Sequence, residues 1–149
     1  MRREQGFSLI ELLIVVVIIG VIAAIAIPGL KRARQSAQAG SAIQSLRTIT
    51  TAETLYERRF RVYAPLIDLA PEGTIDSNLA IGSKSGYDFT ITLVLDANDI
   101  AVGKLKTFKA NANPQGDVAA RTHFYVDETA VIRFNEGAPA DGTSPVIPR

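Results

Sequence analysis

Three rhythms of apolar and polar positions follow one another along this chain, and each predicts a different element. From Leu12 to Leu30 nineteen consecutive residues carry no ionisable side chain, and at about 1.5 Å per helical residue they span about 28 Å, close to one bilayer core. The run predicts a membrane-length helix over residues 7–30. Beyond it, Ala39, Ala42, Ile43, Leu46, Ile49, Ala52, Leu55, Tyr56 and Phe60 recur at spacings of three and four. Residues 31–62 are therefore expected to continue the helix as an amphipathic half with one apolar stripe. Gln38, Gln44, Arg47, Thr51, Glu53 and Arg58 are expected on its polar face. Pro65 and Pro71 end the helical period, which makes 63–86 a connector with a short turn at Leu66–Ala70.

From Tyr87 the period drops to two. Tyr87, Phe89, Ile91, Leu93 and Leu95 alternate with Asp88, Thr90, Thr92 and Val94, the pattern of a half-buried strand. A second strand is expected at Thr107–Ala112, after a turn containing Asn98-Asp99. A third and fourth, Thr122–Val126 and Ala130–Phe134, flank Asp127-Glu128-Thr129. Residues 87–134 thus predict an antiparallel sheet, and the fold class is α+β: a long N-terminal helix packed on a small sheet head. Residues 135–149 hold three prolines and two glycines and predict an exposed or frayed tail.

Composition sharpens this picture. The 149 residues carry a net charge of +1, and the roughly ninety that follow the helix suffice for one small domain. There is no cysteine, so strand pairing and packing must hold the tail without a disulfide. The anomaly is Glu11, an acid at the edge of the apolar run. Placing a carboxylate in hydrocarbon costs on the order of 2.5–3.5 kcal/mol, so this one needs a partner or a purpose.

Its context is Gly6-Phe7-Ser8-Leu9-Ile10-Glu11, with Arg2 and Arg3 ahead of it and Pro28 inside the run that follows. This resembles the N-terminus of the type IV pilin and type II secretion pseudopilin family, densely from Gly6 to Pro28 and more loosely to about Phe60. The resemblance implies that residues 1–6 are a leader, cut between Gly6 and Phe7 by a membrane aspartyl peptidase on the cytoplasmic face. It further implies that the new amine of Phe7 is methylated, and that Glu11 is the assembly residue, pairing with the Phe7 amine of a neighbouring copy in a helical homo-oligomer. Loss of Arg2, Arg3 and Glu4 from 16 basic and 15 acidic side chains would leave 14 of each. The implied partners are the inner membrane before assembly, the prepilin peptidase, a platform protein and an assembly ATPase. The implied product is a surface pilus serving adhesion, twitching motility or DNA uptake; the alternative is the periplasmic pseudopilus of a type II secretion system. No catalytic residue and no cofactor is implied. Many pilins close their C-terminal loop with a disulfide, a pattern from which this chain departs.

Gly20 and Pro28 bracket the weakest part of the helix, because proline removes the amide bond to Ala24 and glycine adds backbone freedom. A helix break there, melting within a filament, is what the resemblance implies; a kink is the simpler reading. Other readings of the N-terminus are a secretory signal peptide cut near Ala24-Ile25-Ala26, a plain anchor, and a membrane-anchored or secreted binding domain that never polymerises. Glu11 and the length of the apolar run weigh against them.

Elsewhere the chemistry is sparse. His123 is the only histidine and cannot build a His/Cys zinc site, so a satisfied strand histidine is expected. Gly82-Ser83-Lys84-Ser85-Gly86 lacks phosphate-loop spacing and reads as a turn. Asp96, Asn98 and Asp99 cluster oxygen ligands as a calcium loop does, without its glycine and distal glutamate, and no metal site is assigned. Lys104, Lys106 and Lys109 with Phe108 could contact single-stranded DNA through charge and stacking, against the simpler reading of a solvated strand face.

Overall fold

The computed structural model describes residues 7–95, 105–116 and 118–148. The chain forms two compact units, one ending at Ser36 and one beginning at Ala37. Helix α1, Leu9–Phe60, contributes to both. In the first unit every large apolar residue from Phe7 to Leu30 is exposed, so this stretch builds no core of its own. Pro28 lies inside the helix, where its missing amide removes one bond and nothing else interrupts the helical assignment.

The second unit holds the core. Its elements after α1 are α2 (Leu66–Leu69), α3 (Ser77–Ala80), β1 (Ser83–Lys84), β2 (Tyr87–Leu95), β3 (Leu105–Pro114), β4 (Thr122–Asp127) and β5 (Arg133–Glu136). The five strands form one antiparallel sheet in the order β1-β2-β3-β4-β5. The architecture is α+β and pilin-like. Ala42, Leu46, Ile49 and Ala52 of α1 are at most 1% exposed and join Leu69, Leu79, Phe89, Phe108 and Val126 in a single cluster. Large residues on β2 face alanines on β3, Phe89 against Ala112 and Ile91 against Ala110. Bulky side chains on one strand thus meet small ones on the next.

Helix α1 departs from the expected stripe in three places. Leu55 and Phe60 are 49% and 43% exposed; the Phe60 ring lies against Tyr56, centroids 4.4 Å apart, with the Arg59 guanidinium 5.0 Å from its centre. Glu53, expected on the polar face, is 0% exposed. It stands four residues after Ile49 and seven after Leu46, and helical geometry puts such positions on one face whatever side chain they carry.

The connector is more ordered than a loop. Pro65 precedes α2, and Asp76 caps α3 by accepting the Leu79 amide at 3.1 Å while its other oxygen takes the Lys84 ammonium at 2.6 Å. Between β1 and β2, Ser85 and Gly86 have φ of 52° and 76°, the two left-handed residues of a type I′ hairpin. A β-carbon at Gly86 would also come within 2.8 Å of the Gln38 side chain.

The fourth expected strand, Ala130–Phe134, is displaced to Arg133–Glu136. Asp127 accepts the Thr129 amide at 3.0 Å and Ala130 turns left-handed at φ 60°, so the ladder resumes only where Arg133 faces Tyr125. The turn containing Asn98-Asp99 lies outside the described residues.

The tail is not frayed. Most of its side chains are exposed, yet Ala140 and Ser144 are 3% and 8% exposed. The Phe134 amide donates to Pro145 O at 2.9 Å, the Ile147 amide to Ile132 O at 3.2 Å, and Val146 bridges to Arg133. Asn111 Nδ2 donates to Ala140 O at 2.8 Å, and Arg133 Nη1 to Ser144 O at 2.9 Å. Composition reports how little side-chain surface this segment can bury; it is silent on backbone bonds, which fasten it here. A further clamp is Arg121, whose guanidinium donates to Gln38 Oε1 and Gln115 O, both at 2.8 Å, and lies 5.0 Å above the Tyr87 ring.

Candidate assembly site at the start of the long helix

Helix α1 opens on a serine. Ser8 O accepts the amides of Glu11 and Leu12 at 3.1 and 3.2 Å, and Glu11 Oε2 reaches back to accept the Ser8 amide at 3.2 Å. Ser8-Leu9-Ile10-Glu11 is thus an S-x-x-E sequence in which the acid satisfies a donor that the helix leaves orphaned. The positive end of the helix dipole favours the same carboxylate. Glu11 is exposed and held beside the Phe7–Ser8 backbone, and Phe7 is 77% exposed. A carboxylate offers about four lone-pair positions, so one bond to Ser8 leaves room for a fixed cation.

The first 27 residues match the model of the prokaryotic N-terminal methylation motif. The chain carries the type IV pilin and pseudopilin signature. No curated protein and no solved structure matches the chain. This prepilin-type motif covers Gly6, Phe7, Glu11 and Gly20, and ends one residue before Pro28. The helix that contains most of it is long and apolar enough to cross a bilayer, which fits membrane anchoring. With the signature and the α+β architecture together, the chain resembles type IV pilin and pseudopilin subunits.

The remaining expected sites fare differently. Gly6 lies outside the described residues. Gly20 is within α1, and a β-carbon there would meet nothing within 4 Å, so no neighbour requires its small size. Asp96, Asn98 and Asp99 lie outside the described residues, as do Lys104 and the side chain of Lys106. Among the described residues no three His, Cys, Asp or Glu side chains gather as a metal site would need. Phe108 is 1% exposed and stacks on Tyr63, centroids 5.2 Å apart. The stacking half of the expected nucleic-acid contact is therefore corrected, because strand alternation sends Phe108 into the core while Lys109 next to it is exposed. His123 is buried on β4 with Nδ1 2.8 Å from Asn113 Oδ1.

Two residues escaped the reading by chemistry alone. The bond that Glu11 accepts from the Ser8 amide was signalled by S-x-x-E ahead of an apolar run. The burial of Glu53 was signalled only by its helical phase.

Proposed function

We propose that the chain is the subunit of a type IV pilus-like filament and that it polymerises through α1. In this reading prepilin peptidase removes residues 1–6 by cutting between Gly6 and Phe7, the Phe7 amine is N-methylated, and Glu11 of one copy pairs with the Phe7 amine of the next. The observation that carries the reading is Glu11 itself, an exposed carboxylate in the first turn of a helix whose large apolar residues from Phe7 to Leu30 are all exposed. In a bilayer that acid is under-compensated. Docking would give it a fixed cation in dry surroundings, where removing one partner of a buried pair costs roughly 3–5 kcal/mol. Membrane anchoring before assembly, with a platform protein and an ATPase driving it, completes the scheme. Gly20 and Pro28 mark where α1 would give way within the filament.

Mass spectrometry of the mature protein should find N-methylphenylalanine derived from Phe7; an N-terminus near Pro28 would sink the leader assignment. Glu11→Ala should abolish sheared filaments while the membrane-bound pool persists, and filaments at normal levels would refute the pairing. Immunogold labelling at native expression places the product: label on surface fibres supports the pilus, and label confined to the periplasm makes the protein a pseudopilin.

A further inference from the structure

One ionisable group of α1 is sealed inside the head. Glu53 is 0% exposed. Its Oε2 accepts the Ala64 amide at 3.1 Å, and its Oε1 is buried with no hydrogen-bond partner. The chain reaches Ala64 through a sharp reversal: Arg61 is left-handed at φ 61°, and its amide donates to Glu57 O at 2.7 Å, closing the helix. Tyr63 in the same reversal rests its ring on Phe108 of β3. One acid side chain thus ties the first residues of the connector back to the helix they have just left.

We propose that Glu53 is a proton-operated latch on the connector: protonated, it holds residues 61–64 against α1; ionised, it releases that turn so that the carboxylate can reach water. A buried carboxylate needs more donors than one amide. The titratable groups around this corner are Glu57 one turn along α1, Tyr63 in the connector and Glu128 after β4; the three acids Glu53, Glu57 and Glu128 each oppose ionisation of Tyr63. Among the described residues no basic side chain contributes to the Glu53 carboxyl. Burial pushes that carboxyl up from 4.5 to about 7, and the Ala64 bond only partly opposes the rise.

The turn is the element that gives way. Arg61 occupies a backbone region that side chains disfavour, and both Arg61 and Pro65 are exposed, whereas Leu46 and Ile49 lock α1 into the core at 0% exposure. Protons leave the open form near the ordinary carboxyl value and the closed form near 7, so the latch loosens as pH rises from about 4.5 to 7 and changes little above that. The device operates within one copy and does not rest on the filament reading.

Hydrogen exchange on the full chain in detergent micelles, corrected for the intrinsic pH dependence of exchange, tests it. The opening constant of residues 61–64 should rise roughly 25-fold between pH 5.5 and 8, while peptides from residues 42–50 keep their protection. Glu53→Gln, which can still accept the Ala64 amide, should show no such rise. Equal profiles for the two proteins, or loss of protection spread evenly over the head, would overturn the latch. Carboxyl-carbon NMR of the unmodified protein gives an answer even if the variant fails to fold: a Glu53 midpoint near 7 is expected, and one between 4 and 5 refutes the proposal.

Discussion

Glu53→Gln should make the head more stable above neutral pH, although it removes a charge and touches no solvent. The folded-state carboxyl titrates near 7 and an ordinary glutamate near 4.5. Below pH 4.5 both folded and unfolded chains hold the proton, and the acid contributes no pH dependence. Between 4.5 and 7 the unfolded chain releases its proton and the folded chain does not, so stability falls by about 1.4 kcal/mol per pH unit. The loss levels off above 7 at about 3 kcal/mol. The variant, with a neutral amide at this position, escapes that loss. If the connector turn opens at a lower cost, the loss saturates at the opening cost, and the measured gain then reads the strength of the latch directly. Urea unfolding of both proteins in micelles at pH 4.5, 6 and 8, followed by near-ultraviolet circular dichroism of the head tyrosines, gives the difference free of all other titrations. The variant should match the unmodified protein at pH 4.5 and exceed it at pH 8. A difference that stays constant across this range would refute the burial argument.

Three other outcomes follow from contacts in the head. Gly137→Ala should cost at least about 1–2 kcal/mol in thermal or urea unfolding, because φ is 73° there and a β-carbon would lie 2.9 Å from Ala119 O. Arg121→Ala should destabilise by about 1–2 kcal/mol through loss of its bonds to Gln38 and Gln115 and its seat over Tyr87; Arg121→Lys should restore little of it, since an ammonium cannot reproduce the planar fork. Asn111→Ala should leave the sheet intact but loosen the tail, read as faster exchange of the Ile147 amide with unchanged exchange on β3; unchanged Ile147 protection would show that the bond to Ala140 is not what holds it.

The regular elements were legible because each rests on one repeating contrast. A period of two over Tyr87–Leu95 and spacings of three and four over Ala42–Ala52 admit few other folds, and the antiparallel sheet followed from short links between strands. Glu53 was misplaced by letting residue type outvote position: its phase puts it with Ile49, and the structure follows phase. Leu55 and Phe60 erred in the opposite direction: they are apolar side chains that the structure leaves exposed. The tail's exposure was legible, but its fastening was not, because that runs through carbonyls and amides, which composition does not encode. At the N-terminus the methylation motif was legible, while the bond from the Ser8 amide to Glu11 needed the geometry of a helix start.

Among the described residues each border of the sheet is partly covered. The outermost strand on one side has two residues, and on the other the final segment lies along Arg133 through its bridge to Val146. Unpaired strand borders recruit foreign strands, and the risk grows with local concentration. A subunit that works by stacking against many identical copies needs to meet them only through intended faces. In the proposed filament, partly covered borders would lower the chance that crowded copies pair through their sheets.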